Sequence, residues 1–408
     1  KNSAPCAVAH FILAACVLSC LSSSGAAERM PLKARAAGEV LPAERSFYMG
    51  FTPWPYDVTE AAVQTAYAII GAKADLIAHH FDDGVPWPEA LACTAWDSNF
   101  VAELDNRLAR TPPGKKMYVS VTPIALERDR LAPYRGAQSA MPLPAAWANK
   151  AFDDPDVITA YLNYCREMIR RFRPDYFAYG IEVNLLAEKG PQHYEAYKRF
   201  LAQVYPTLKA ENPSLPIFLS QVIRDPRDAQ QAQWLAVIQE LLAYSDYMAV
   251  SVYPYFMGPL CGNPANLDPN WLKQVNAVRG SKPFAISECG QIAENLDTSN
   301  PAIHIDATAA WQAETLRLLF RDAHDLDAQF VIYFLSVDYD QMWVQLEALG
   351  YPEWMKVWRD IGLYDGVGQA RPSLGVWEAW LGLPRHSHRA PQIDSTPWAT
   401  PNPVGLKP

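Results

Sequence analysis

Between about residues 44 and 383, short apolar or β-branched runs alternate with longer stretches in which apolar residues recur every three or four positions. The short runs, at 47–53, 75–81, 117–123, 176–183, 217–223, 247–253, 284–288 and 330–337, read as strands. The longer ones, at 59–74, 99–110, 155–173, 194–211, 229–244, 270–278 and 307–326, read as helices. Val157 to Phe172 is the clearest, with one apolar stripe along an amphipathic helix. By contrast, Tyr247-Met248-Ala249-Val250-Ser251-Val252 does not alternate cleanly, which fits a strand covered on both faces. Eight strands separated by seven helices predict an α/β fold, a single (β/α)8 barrel. A doubly wound sheet would favour a Gly-rich phosphate turn after its first strand, and Gly50-Phe51-Thr52-Pro53-Trp54-Pro55 is nothing of the kind.

The ends fall outside this pattern. Residues 1–27 carry an apolar run from Ala7 to Leu18, too short to span a bilayer and placed like the core of an export leader. Ser24-Gly25-Ala26-Ala27 offers ordinary signal cleavage, whereas Leu13-Ala14-Ala15-Cys16 looks like a lipobox that would leave a lipidated Cys16. Either exit predicts an exported protein: periplasmic, extracellular, or held at the cell surface by that lipid as its membrane attachment. Residues 384–408 are proline-rich without apolar periodicity and read as a disordered tail. Of the cysteines beyond the leader, Cys165 sits in a helical pattern as a core residue, and Cys261 could brace Cys289 through a disulfide in an exported protein.

Composition narrows the function. The chain has 408 residues, 50% hydrophobic and 19% charged, which is the profile of a globular protein. Lys and Arg total 35 against 44 Asp and Glu, a net charge of -9. No basic surplus exists to neutralise phosphates, so nucleic acid is not an expected partner.

Barrels of this kind place their chemistry at the C-terminal ends of the strands. The polar residues there are His79, His80, Asp82 and Asp83, then Glu182 and Asn184, Gln221 and Arg224, Tyr253, Glu288, and finally Asp338, Asp340 and Trp343. Glu182 and Glu288 each close an apolar strand as a lone charge, a costly placement unless the group faces the barrel mouth. Their strands, the fourth and seventh, stand across the mouth from each other. Two carboxyl groups flanking one bond are what glycoside hydrolysis requires: one protonates the departing oxygen while the other attacks the anomeric carbon or activates water.

These residues resemble the retaining glycosidases of clan GH-A, and most closely glycoside hydrolase family 53, the endo-β-1,4-galactanases. The family's Gly-Asn-Glu on the fourth strand is matched by Gly180-Ile181-Glu182, its Tyr-Tyr-Pro on the sixth by Ser251-Val252-Tyr253-Pro254-Tyr255, and its seventh-strand glutamate by Glu288-Cys289-Gly290. Gly50-Phe51-Thr52 and Ser220-Gln221 match more loosely. The resemblance implies a (β/α)8 barrel cleaving a β-linked polysaccharide or oligosaccharide with retention and without a cofactor. Glu182 would be the acid/base, Glu288 the nucleophile, and Tyr253 the hydroxyl that holds the nucleophile. One departure matters. The clan's Asn before the acid/base, which bonds the sugar 2-hydroxyl, is Ile181 here. Asn184 or another polar group could substitute, the substrate could differ at that position, or the chain could be a non-catalytic surface carbohydrate-binding protein on a decayed glycosidase barrel.

The remaining candidates are substrate-binding groups: His79, His80, Asn184, Gln221 and Asp338 for hydroxyls, Trp54 and Trp343 as flat platforms for sugar rings. A metal held by His79, His80, Asp82 and Asp83 is disfavoured, because adjacent strand residues point to opposite faces. Ser287 lacks the Gly-x-Ser-x-Gly elbow of a serine hydrolase.

Overall fold

The computed structural model describes residues 41–257 and 262–386. The expected leader with Cys16, the tail from residue 387 and Cys261 lie outside the described residues. Strands β1 (Tyr48–Phe51), β2 (Leu76–Phe81), β3 (Lys116–Val121) and β4 (Tyr176–Ala178) pair in parallel, and β5 (Ile217–Phe218) adds to β4. Beyond Leu219 the chain continues as β6 (Ser220–Val222), which pairs instead with β7 (Met248–Val252), itself paired with β8 (Phe284–Cys289). An antiparallel hairpin, β9 (Leu296–Ser299) with β10 (Ala302–Ile305), precedes the last barrel strand, β11 (Phe330–Tyr333). That strand pairs with both β8 and β1. Because β5 and β6 are two halves of one strand broken at Leu219, the ring closes through the chain itself. The expected eight-strand barrel is the observed architecture.

Helices fill the connections: α1 (Glu60–Lys73), α2 (Trp87–Ala92), α3 (Ser98–Arg110), α4 (Pro155–Phe172), α5 (Leu186–Lys189), α6 (Pro191–Glu211), α7 (Gln231–Leu241), α8 (Ala309–Asp325), α9 (Asp340–Ala348) and α10 (Pro372–Leu381). The bounds of α4 follow from its sequence. Asp154 caps its start by accepting from the Asp156 N–H, Pro155 has no N–H to satisfy, and Arg170 and Arg171 sit where the helix dipole favours cations. Arg173, with a φ of 47°, ends it. The expected helix at 270–278 is only a 3-10 turn, Lys273–Ala277. Asn and β-branched Val residues are poor helix formers, and Trp271 instead anchors the segment by donating to Asp322 at 2.9 Å.

Alternation along the strands sorts the core. Leu76, Ala78, Tyr118, Ala178, Phe218, Ala249, Ala285 and Ile332 fill the barrel interior. Ile77, Val250, Ile286 and Val331 pack outward under helices on one side, and Val119, Val121, Phe177 and Ile217 on the other. Each large apolar side chain so buried contributes about 1.5–3 kcal/mol. Above the strand ends lies a third apolar cluster, containing Trp54, Tyr253, Phe334, Tyr339, Trp343 and Trp358. At the other end of the chain, residues 384–386 lie against Arg45, whose N–H donates to Pro384 O and whose carbonyl accepts from His386 N.

Candidate active site

The parity of β2 builds the first part of the site. Leu76 and Ala78 face the barrel interior, so His80 and Asp82 do too, while His79 and Asp83 point into the helix layer. The contacts agree. His79 Nε2 lies 2.9 Å from the Thr111 hydroxyl, its ring is tilted against Phe172, and Asp83 pairs with Arg135 at 3.2 Å. His80 Nδ1 lies 3.2 Å from Ser120 Oγ on β3 and 3.8 Å from Glu288 Oε2, and its Nε2 lies 3.9 Å from Asp82 Oδ2. Burial, with help from the Arg128 and Arg107 guanidiniums, pushes His80 down to about 3, so the ring is neutral between those carboxylates.

Glu182 is not carried on a strand, as the run 176–183 suggested. β4 ends at Ala178, and the chain turns so that Glu182 enters a 3-10 turn (Val183–Leu185) with a φ of 52°. Left-handed backbone at a non-glycine residue is uncommon and stores strain. Gly180 permits the turn, because a Cβ there would lie 2.7 Å from Val183 Cγ1 and 2.8 Å from Leu219 Cδ2. The Glu182 N–H donates to Ser220 Oγ at 3.0 Å, which ties the turn to β6. The residue is 2% exposed, and its Oε2 accepts from Arg128 Nη2 at 3.2 Å. Arg128, from the loop after β3, also donates to both oxygens of Asp82, at 3.0 and 2.7 Å. The Asp82 carboxyl nevertheless rises to about 6, because burial outweighs the guanidinium.

Glu288 reaches the mouth through a bulge. Val250 aligns with Ile286 but Ser251 with Glu288, so Ser287 is an extra residue in β8. The bulge turns Glu288 to the interior face shared with Ser251 and leaves Cys289 outward, its thiol donating to Ile332 O at 3.2 Å. The Tyr253 hydroxyl donates to Glu288 Oε1. Burial first, and then the nearby Glu182 charge, push the Glu288 carboxyl up to about 8, against the opposing effects of Tyr253 and Arg128. Glu182, Glu288, Tyr253 and His80 are therefore brought together, with Asp82, Arg128 and Ser120 around them.

Other sequence candidates are placed elsewhere. Both polar ends of Asn184 are spent on one backbone residue: Nδ2 donates to Val222 O at 2.9 Å and Oδ1 accepts from Val222 N at 2.8 Å. Gln221 aligns with Val250 on the helix-facing side of the sheet, fully buried, and its amide has no hydrogen-bond partner among the described residues. Asp338 accepts from the Gly362 N–H at 2.7 Å and pairs with Arg371 at 2.5 Å. Burial pushes its carboxyl up to about 8. Asp338, Asp340 and Asp360 form a group whose oxygens lie within 4.8 Å of one another, the spacing a cation would need. Arg371 and Arg359 already neutralise it, the latter 3.3 Å from Asp340 and 2.7 Å from Asp360. Trp54 and Trp343 are 7% and 4% exposed, packed within the cluster above the strand ends rather than standing open as platforms. Cys289 is a free, buried thiol.

No family model matches the chain, and no curated protein matches it. Solved structures do. The glycoside hydrolase family 53 catalytic domain of Ignisphaera aggregans is 17% identical with a TM-score of 0.53, over 84% of this chain and 98% of that one. A glycoside hydrolase family 5 subfamily 18 protein from Streptomyces cattleya, in complex with Manβ1-4GlcNAc, is 15% identical with a TM-score of 0.55, over 83% of each chain. Its counterpart from Bifidobacterium longum subsp. infantis is 14% identical with a TM-score of 0.55, over 84% of this chain and 80% of that one. At these identities the likeness is one of fold. The chain has the barrel fold of these glycosidases.

Proposed function

We propose that the chain is an exported, retaining glycoside hydrolase that cleaves a β-linked polysaccharide or oligosaccharide, of the endo-β-1,4-galactanase type. One observation carries the reading: Glu182 and Glu288, from opposite sides of the barrel, converge on its mouth with Tyr253 bonded to Glu288. Burial and the Glu182 charge hold a proton on Glu288 in the resting site, and the reactive form is the one in which that proton sits on Glu182 instead. In the first step Glu182 gives that proton to the glycosidic oxygen while a Glu288 oxygen bonds the anomeric carbon and the C–O bond to the leaving sugar breaks. In the second, Glu182 takes a proton from water, whose oxygen displaces Glu288. Tyr253 fixes the aim of the Glu288 carboxylate and favours its ionised form. His80 lies beside Glu288 as a neutral ring suited to a sugar hydroxyl.

The test incubates the wild type and Glu288→Gln with β-1,4-galactan, β-glucans, β-mannans and xylans, and follows new reducing ends. Product from the wild type alone supports the proposal, and the active polysaccharide names the specificity. A second reading, a carbohydrate-binding protein on a decayed barrel, is favoured by Ile181 together with Asn184, whose amide is committed to Val222 and cannot replace the missing Asn contact while it stays there. Glycan binding by both proteins without any product would replace the first reading with the second.

A further inference from the structure

Arg128 is 1% exposed, and a single nitrogen, Nη2, serves two carboxylates: Asp82 Oδ2 at 2.7 Å and Glu182 Oε2 at 3.2 Å. Its Nη1 gives Asp82 a further bond at 3.0 Å. The guanidinium is thus a two-bond fork on Asp82 that lends its outer edge to Glu182. Whatever loosens the hold of Asp82 tightens the hold on Glu182. The charged and titratable groups facing this pair come from every neighbouring element: His80 and Asp82 from β2, Arg107 from α3, Glu127 and Arg128 from the loop after β3, Glu182 from the turn after β4, Tyr197 from α6, Tyr253 beyond β7 and Glu288 from β8.

We propose that Asp82 and Arg128 act as a positioning pair, in which Asp82 restrains Arg128 and so sets how firmly Glu182 is kept as a carboxylate. This rests on the glycosidase reading, in which Glu182 must hold a proton for the first step and be free of it for the second. A guanidinium given over to Glu182 would favour the second step at the expense of the first. One drawn wholly to Asp82 would do the reverse. The divided contact serves both, which gives Asp82 a role although it touches no reacting atom.

Asp82→Asn leaves the Arg128 charge to Glu182, whereas Asp82→Asn combined with Arg128→Met deletes both charges and preserves the net charge. Infrared titration follows the carboxyl band that is lost in Glu182→Gln. The Glu182 midpoint falls by about one pH unit or more in Asp82→Asn and rises in the double variant. The alkaline limb of kcat/KM on an unactivated β-glycan moves in the same directions. Glycosylation by an aryl glycoside with a good leaving group, which needs no proton from Glu182, changes little. A midpoint that stays put in both variants, or moves the same way in both, overturns the proposal. If Asp82→Asn does not fold, the double variant against the wild type decides alone. A wild type without any turnover would sink the glycosidase reading while the infrared titration still decides the pair.

Discussion

Replacing Glu288 by Gln tests the electrostatics of the site without reference to any substrate. Glu288 is 6% exposed, and burial with the Glu182 charge moves its carboxyl from 4.5 to about 8. Below pH 4.5 the folded and unfolded chains both hold the proton, so the group adds no pH dependence. Between 4.5 and about 8 the folded chain keeps a proton that the unfolded chain has released, so stability falls as pH rises through that window. At about 1.4 kcal/mol per pH unit, the complete loss is on the order of 5 kcal/mol. Gln keeps the shape of the protonated carboxyl and cannot ionise. At this chain length Tm moves roughly 1–2 °C per kcal/mol, so Glu288→Gln melts above the wild type by roughly 5–10 °C at about pH 9. The two converge near pH 5. Asp83 and Asp338 also titrate high, but they do so in both proteins and cancel in the difference. Differential scanning calorimetry at a series of pH values reads the gap, and a gap of constant size would refute the argument.

Three further outcomes follow from single contacts. Tyr253→Phe removes a charge-assisted bond worth about 1.5–3 kcal/mol to ionised Glu288, so the acidic limb of kcat/KM rises by about 1–2 pH units; a limb that does not move means that this hydroxyl does not hold the nucleophile. Asn184→Ala strips the Val222 backbone of both its side-chain partners and costs about 1–3 kcal/mol in urea unfolding; a change in glycan affinity at unchanged stability would instead make Asn184 a sugar ligand. Gly180→Ala forces a methyl against Val183 and Leu219 and costs about 1–3 kcal/mol; a neutral result in the same assay would deny the close approach on which the Glu182 turn depends.

The barrel was legible because each strand is a short apolar run and each helix a long periodic one, and that rhythm survives ignorance of every contact. What the rhythm lacks is parity. The sequence says that His79 and His80 face opposite ways; only the register of β2 against its neighbours decides that His80 looks inward. Glu288 defeats parity altogether, since the extra residue Ser287 lets the chain present it beside Ser251. Glu182 stands past the end of its strand in a left-handed turn, for which Gly180 was the available signal. Arg128 carries no such signal. It lies in Glu127-Arg128-Asp129-Arg130, which reads as a solvated charge run, yet the Arg128 side chain is 1% exposed and the Arg130 side chain 56%. Trp54 and Trp343 do follow their strands, but a loop rich enough in aromatics to bind sugar is also rich enough to bury its own rings.

Two ion networks on the two faces of β2 show why the inner one reads as functional. On the outer face Asp83 and Glu103 meet Arg135 and Arg107, at 3.2 Å for Asp83–Arg135, 2.6 Å for Glu103–Arg135 and 2.8 Å for Glu103–Arg107. Acids and bases match there, as a network built for cohesion should, because an uncompensated buried ion costs several kcal/mol. On the inner face Asp82, Glu182 and Glu288 gather around the Arg128 guanidinium, and the neutral His80 adds no charge. Carboxylates outnumber the cation that they share, so a proton must stay among them, and Glu288 is where burial and the Glu182 charge put it. A site built for stability alone would have replaced one of these acids with an apolar side chain. Keeping three acids under one guanidinium makes physical sense where a carboxyl must give a proton up and take it back, and that is the work that cleavage of a glycosidic bond would ask of Glu182.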